Sequence, residues 1–297
     1  MVTLQLGSLH LSTGEMHEAR AQHTAAIRMA RELDDRHLEC LANSGLGNID
    51  VVEGHMDDAL SHYERALALA GETHDRHMQG NLLGNLGKLH MEVGRTGEAQ
   101  VRCEQSLAMA RDTGNRRLES RQLCNLGMLY IVLDHAAESE AASTAALVVA
   151  RELGDRRLEA IVRCNLGIAI ERQGRHDEAR AEFEAAVGLA RALGDPMAEG
   201  QFLSYLGLLY ARQGRHDEAR NSLASGETLL RSASDAFGLG VLLTSRAEAH
   251  HLAGDAAAAT ASLAAAATLA AEVGAGPASE IGLALARVRA LIEPVRA

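Results

Sequence analysis

The sequence has no tryptophan, three prolines, and aromatic side chains at only 2% of its 297 positions. So few rings argue against stacking the bases of a single-stranded nucleic acid. Val-Ile-Thr runs with period-two alternation are missing, which makes strands an unlikely main element. No apolar run reaches the ~18 residues that a membrane-spanning helix needs. Residues 1–30 carry charges throughout and lack the apolar centre of a secretory signal, so the cytoplasm is the expected compartment. Basic residues are outnumbered, 29 Lys and Arg against 40 Asp and Glu, for a net charge of −11. That balance opposes nonspecific nucleic-acid binding, which needs a basic surface. The local basic pairs Arg116-Arg117 and Arg156-Arg157 are each followed closely by acids and read as solvated helix starts. None of the four cysteines, Cys40, Cys103, Cys124 and Cys164, forms a CxxC pair, so zinc and redox motifs are unsupported. Small buried thiols are expected instead.

What is present is a repeat. Leu-Gly recurs every 40 residues as Leu6-Gly7, Leu46-Gly47, Leu86-Gly87, Leu126-Gly127, Leu166-Gly167 and Leu206-Gly207. Seven residues after each glycine stand Gly14, Gly54, Gly94, Asp134, Gly174 and Gly214; five further on stand Ala19, Ala59, Ala99, Ser139, Ala179 and Ala219. A fixed period of this length marks a stack of supersecondary units, none of which buries its apolar face alone. The apolar positions are mostly Ala and Leu, both good helix formers.

One unit, 155–194, shows the design. Gly154 suits the left-handed position that closes the preceding helix. Asp155 suits an N-cap, and Glu159 in the first turn favours the helix dipole. A first helix, A, carries Val162, Leu166 and Ala169 on one stripe; Gly174 ends it. Asp177 then suits the cap of helix B, whose Ala179, Phe183, Ala186, Val187 and Ala190 make an apolar face. The glycine inside helix A costs roughly 1 kcal/mol against alanine, so a close approach of two helices, with the small residue opening helix B as partner, is expected to hold it there.

The expected units are a partial repeat at 1–34, then 35–74, 75–114, 115–154, 155–194 and 195–234. A degenerate copy at 235–274 and a capping helix in 275–297 follow. Leu6-Gly7 already stands in the mid-helix slot, so the chain reads as beginning inside a repeat, as a piece of a longer protein would. Pro277 suits a first helical turn, with Ile281, Leu285, Val288 and either Leu291 or Ile292 facing inward. The alanine-rich stretch 255–273 lacks a clear polar face and offers a surface for self-association through a terminal repeat.

These residues resemble the tetratricopeptide repeat. The match runs over about residues 2–254: Leu-Gly, then Tyr130 or Tyr210 three residues on, the turn glycine, alanine, and Tyr63 or Phe183 in helix B. The period is 40 rather than 34, and Gly-Asp-Arg replaces the usual proline after helix B. That form is similar to Pins-type spindle-orientation scaffolds and to the sensor arrays of bacterial regulators and ATPases. The resemblance implies an all-α, right-handed superhelical solenoid of about seven helix-turn-helix repeats with a C-terminal capping helix. Helix A would line its concave side, and the ligand would be a protein or peptide segment. It implies ligand contact at Asn85, Asn125 and Asn165, two before the glycine, where peptide-binding members place an Asn on the ligand backbone. Tyr205 holds the same slot one unit further on. Asn48 and Lys88 follow the glycine, and Asn81, Arg121 and Gln201 lie one turn earlier.

Catalysis finds no support. His176-Asp177-Glu178 and His216-Asp217-Glu218 recur in register at the A-to-B turn, as a cap would. His10, His90 and His250 are not grouped with further ligands at metal spacing, and no GxxxxGK[ST], GxSxG or HExxH occurs. The expectation is a non-enzymatic scaffold with no cofactor, no metal, no nucleic-acid partner and no membrane. The rival reading is a regulatory or sensor segment of a larger bacterial signalling protein.

Overall fold

The structure, a computed structural model, describes residues 15–277 and 279–292. The expectations for Leu6-Gly7, the first helix and Gly14 lie outside the described residues. Among those described there are fourteen helices and no strand. In chain order they are α1 (Met16–Glu32), α2 (Arg36–Glu53), α3 (Met56–Glu72), α4 (Arg76–Glu92), α5 (Thr96–Asp112), α6 (Arg116–Val132) and α7 (Ala136–Glu152). Then come α8 (Arg156–Arg172), α9 (His176–Leu193), α10 (Pro196–Arg212), α11 (His216–Ser232), α12 (Ala236–Leu252), α13 (Ala256–Glu272) and α14 (Glu280–Ile292). Even-numbered helices are the A helices and odd-numbered ones the B helices.

Two turns set the period. A helices start on a side chain that accepts from the backbone three residues on: Asp35 from Leu38 (2.9 Å), Asp75 from Met78 (2.9 Å), Asn115 from Leu118 (3.1 Å), Asp155 from Leu158 (3.1 Å). Asp195 and Asp235 do the same for Ala198 and Gly238. Each bond satisfies one amide that the first helical turn leaves free. A helices end on a left-handed residue, Gly174 at φ 77° in one unit and Asp134 at φ 60° where glycine is missing. B helices end on a left-handed Gly154 or Gly194. Asp177 does not cap α9: the helix begins at His176, after Arg175, and the Asp177 carboxylate pairs with Arg180 (3.1 Å) one turn on. The charge still lies near the dipole's positive end, so the residue type suits the place without serving as the cap.

A third device crosses the B-to-A turn. Arg31 donates to Glu39 (3.0 Å), Arg111 to Glu119 (3.1 Å), Arg151 to Glu159 (3.0 Å) and Arg191 to Glu199 (2.9 Å). In the one unit where glycine (Gly71) replaces the arginine, Gln79 replaces the glutamate and donates to the Ala70 carbonyl (2.9 Å). Burial alone would raise the Glu39 carboxyl, but bonds from Arg31 and Arg65 outweigh it and hold the group below the usual carboxylate range.

The chain forms two compact units, one up to Leu126 and the other from Gly127. In the first, Ala26, Ala30, Ala42 and Ile49 close one core, and Tyr63, Leu69, Leu82 and Leu86 the next. A Cβ placed on Gly47 would lie 2.6 Å from the Tyr63 ring, and one on Gly87 2.5 Å from the Cys103 sulfur. In the second unit, Gly127 takes the Ser143 hydroxyl, Gly167 the Phe183 ring and Gly207 the Leu223 side chain, at 2.6, 2.7 and 2.8 Å. The nearest partner of each glycine is therefore not the small residue opening helix B but the one a turn later. Only the backbone carbonyls of Ala99, Ser139 and Ala219 stand behind it. All four cysteines are buried thiols outside any disulfide; burial pushes Cys40 up to about 11 and Cys103 up to about 12.

At the C-terminal end Pro277 lies before the helix rather than in its first turn, and Ser279 precedes α14, its hydroxyl accepting from the Gly282 amide (3.1 Å). Ile281 and Val288 are fully buried, and Ile292 packs beside Val288. Leu291, the other candidate for the inner face, is 45% exposed, as is Leu283. No described helix is long and apolar enough to cross a membrane.

Candidate binding surface on the A helices

In the first unit the A helices α2, α4 and the start of α6 bury their leucines and leave a polar stripe. Asn48, Asn81, Asn85 and Asn125 are half-buried; Lys88 and Arg121 are exposed. Arg121 donates to Asn81 (3.1 Å), joining the same slot of successive A helices. Solvent reaches the Arg121 guanidinium, yet burial draws its pKa below the usual value. Asn48 accepts from the Tyr63 hydroxyl (2.7 Å), and Lys88 pairs with Glu92 (3.6 Å) along the helix. Asn125 donates to Gln122 (3.4 Å), whose own amide nitrogen is buried without a partner. Asn85 has no side-chain partner among the described residues.

In the second unit the expected residues are engaged. Asn165 is only 5% exposed and occupies a packing position. Gln201 donates to Asp235 (2.7 Å), steadying the cap of the next A helix. Tyr205 stacks on Phe183, ring centroids 6.2 Å apart, and its hydroxyl reaches Glu280 of α14. Burial, with Glu280 beside it, raises the Tyr205 phenol well above its ordinary range. Further along the same faces runs a charged ladder: Arg212 bonds Glu171 (2.7 Å) and Glu248 (2.7 Å), and Arg287 of α14 pairs with Glu248 (2.9 Å). The ladder joins three A helices and α14, so the two acids are neutralised by this chain. No sequence spacing announces it, because its members sit at different slots of their repeats.

In the histidine triplets, Glu178 bonds Arg175 (2.6 Å) and Glu218 bonds Arg215 (2.8 Å), both at the surface of a first helical turn.

Capped helical hairpins in register, with one polar A-helix stripe, define a helix-turn-helix repeat protein. A family model described as the MalT-like TPR region matches residues 1–154, and the tetratricopeptide repeat model matches 119–192 and 159–232. The chain belongs to the tetratricopeptide repeat family. Among solved structures it is similar to a Rap protein complexed with competence and sporulation factor, at 14% identity and TM-score 0.67, covering 99% of this chain and 98% of that one. Aspartyl phosphate phosphatase F from Bacillus subtilis matches at 11% identity and TM-score 0.68, covering 90% of this chain and 74% of that one. BtubC from P. vanneervenii matches at 22% identity and TM-score 0.63, over 74% and 92% of the two chains. At these identities the likeness is one of fold. No curated protein matches the sequence.

Proposed function

We propose that the chain is a non-enzymatic scaffold that holds a peptide or helical segment of a protein partner against its A helices. The contacts come chiefly from Asn48, Asn81, Asn85, Lys88, Arg121 and Asn125. The observation that carries this reading is Asn85, half-buried on the A-helix stripe with no side-chain partner among the described residues. An Asn amide offers two donors and an acceptor, the complement of a peptide group. Asn165, Gln201 and Tyr205 support the architecture of the second unit. A second reading, a regulatory segment of a larger signalling protein, draws support from the MalT-like match over residues 1–154 and from the Rap protein seen with competence and sporulation factor. The second reading differs in its ligand, which would be the protein's own catalytic domain or a small effector. Panning a displayed peptide library on the full chain tests the first reading: selected peptides are expected to bind Lys88→Glu and Arg121→Glu variants at least tenfold more weakly. Selection of no peptide, or of peptides indifferent to both charge reversals, contradicts the proposal.

A further inference from the structure

One A-to-B turn departs from all the others. At the slot that holds His90, Tyr130, Ile170 and Tyr210 elsewhere, the chain has Asp50; Glu53, His55 and His62 accompany it and recur together in no other repeat. Asp50 is fully buried. Arg20 of α1 donates to Asp50 Oδ1 (2.6 Å) and Glu53 Oε2 (2.5 Å), which leaves one oxygen of each carboxylate uncommitted. Asp50 Oδ2 is buried with no hydrogen-bond partner.

His62 Nε2 faces that oxygen at 3.7 Å. Its tautomer follows from the network. Asn43 donates its amide nitrogen to the Glu39 carbonyl (2.8 Å), so its Oδ1 is the acceptor for His62 Nδ1 (3.2 Å). The neutral ring then carries its proton on Nδ1 and presents a lone pair at Nε2. In that form His62 Nε2 and Asp50 Oδ2 both present lone pairs, whereas a ring protonated at both nitrogens would donate from Nε2 to Asp50 Oδ2. On the other side His55 Nδ1 lies 3.6 Å from Glu53 Oε2, the oxygen that also accepts from Arg20, and ligand atoms of Asp50, Glu53 and His55 fall within 4.8 Å of one another. Bonds of about 2.0–2.2 Å to zinc place neighbouring tetrahedral ligands roughly 3.3–3.6 Å apart, which the 3.6 Å between His55 Nδ1 and Glu53 Oε2 meets. Two carboxylates against one guanidinium leave a single net negative charge, which a dication would reverse.

We infer that this turn is a divalent transition-metal site. Asp50, Glu53 and His55 are the ligands, His62 approaches from α3, and Arg20 holds Asp50 Oδ1 and shares Glu53 Oε2 with the ion. The mixed imidazole and carboxylate set suits zinc and disfavours magnesium or calcium, which take oxygen ligands. A bound ion would fasten the end of α2 to the start of α3. The inference stands apart from the peptide-binding reading, because these residues are not on the stripe of Asn81, Asn85 and Lys88.

Calorimetric titration of the full chain with zinc chloride tests it. The expected result is one tight equivalent of zinc, a rise in melting temperature with zinc, and no comparable uptake of magnesium. His55→Gln and Glu53→Gln are each expected to weaken zinc at least tenfold, while the exposed His77→Gln leaves it unchanged. Asp50→Asn alters a buried charge, so the His55 and Glu53 variants carry the test should it not fold. No zinc uptake, or uptake that is the same in His55→Gln and Glu53→Gln, overturns the assignment.

Discussion

The ring of Phe183 occupies the space that a side chain on Gly167 would need, 2.7 Å from where its Cβ would stand. A helix B side chain is thus seated directly on helix A, and the missing methyl is the seat. The gain in helix propensity for Gly→Ala is about 1 kcal/mol, while forcing a fully buried ring aside costs typically 1–3 kcal/mol. Gly167→Ala is therefore expected to lower stability by up to about 2 kcal/mol in chemical denaturation. At Gly127 the obstacle is the Ser143 hydroxyl, which can turn away. Gly127→Ala is expected to be near neutral. Equal losses at both positions would refute the seating argument.

The Arg–Glu bridges give the fold a predictable response to acid. Glu39 and Glu159 are held below the ordinary carboxylate range in the folded chain, despite the opposing effect of burial. A depressed folded pKa contributes stability that is present above the unfolded value, about 4.3 for Glu, and is lost as pH falls below it. Wild type is expected to lose more stability between pH 5 and pH 3, taken as rough limits from that value, than Glu39→Gln does. Matching pH profiles for the two proteins would mean that the bridge to Arg31 and Arg65 contributes nothing.

Ile281 is fully buried, and it fills the space left by Gly240, whose Cβ would lie 2.7 Å away. Truncating such a side chain typically costs 2–5 kcal/mol. Ile281→Ala is expected to fall in that range, and Leu291→Ala, at an exposed position, to change stability by about 0.5 kcal/mol or less. The comparison separates a packed final helix from a loosely attached one, in which both substitutions would be silent.

The parts of this architecture that can be read along the chain are local ones. Asp155 caps its own helix and Gly154 and Gly174 take left-handed turns because each needs only its immediate neighbours. The Arg-to-Glu bridge is also visible in the sequence, eight residues apart and repeated every 40, once Arg31 and Glu39 are set beside Arg151 and Glu159. What escapes is whatever depends on a second helix. Phe183 as the partner of Gly167, 16 residues away, needs the hairpin closed. Whether Leu291 or Ile292 faces inward depends on the angle at which α14 meets α12 and α13. Asn165 shares its sequence slot with Asn85 and Asn125, yet it is buried while they are half-exposed. The cluster of Arg20, Asp50, Glu53, His55 and His62 draws on two helix B elements, one helix A and a turn, so no single spacing reveals it.

That contrast between Asn85 and Asn165 tests the central claim, that the A-helix stripe of the first unit serves a ligand rather than packing. Melting temperature and affinity for a selected peptide are to be measured on Asn85→Ala and Asn165→Ala. Asn85→Ala is expected to melt as wild type does and to bind about 5- to 150-fold more weakly, the equivalent of losing an interaction of roughly 1–3 kcal/mol. Asn165→Ala is expected to melt earlier. An Asn85→Ala protein that melts early and still binds the peptide at full strength would contradict the account.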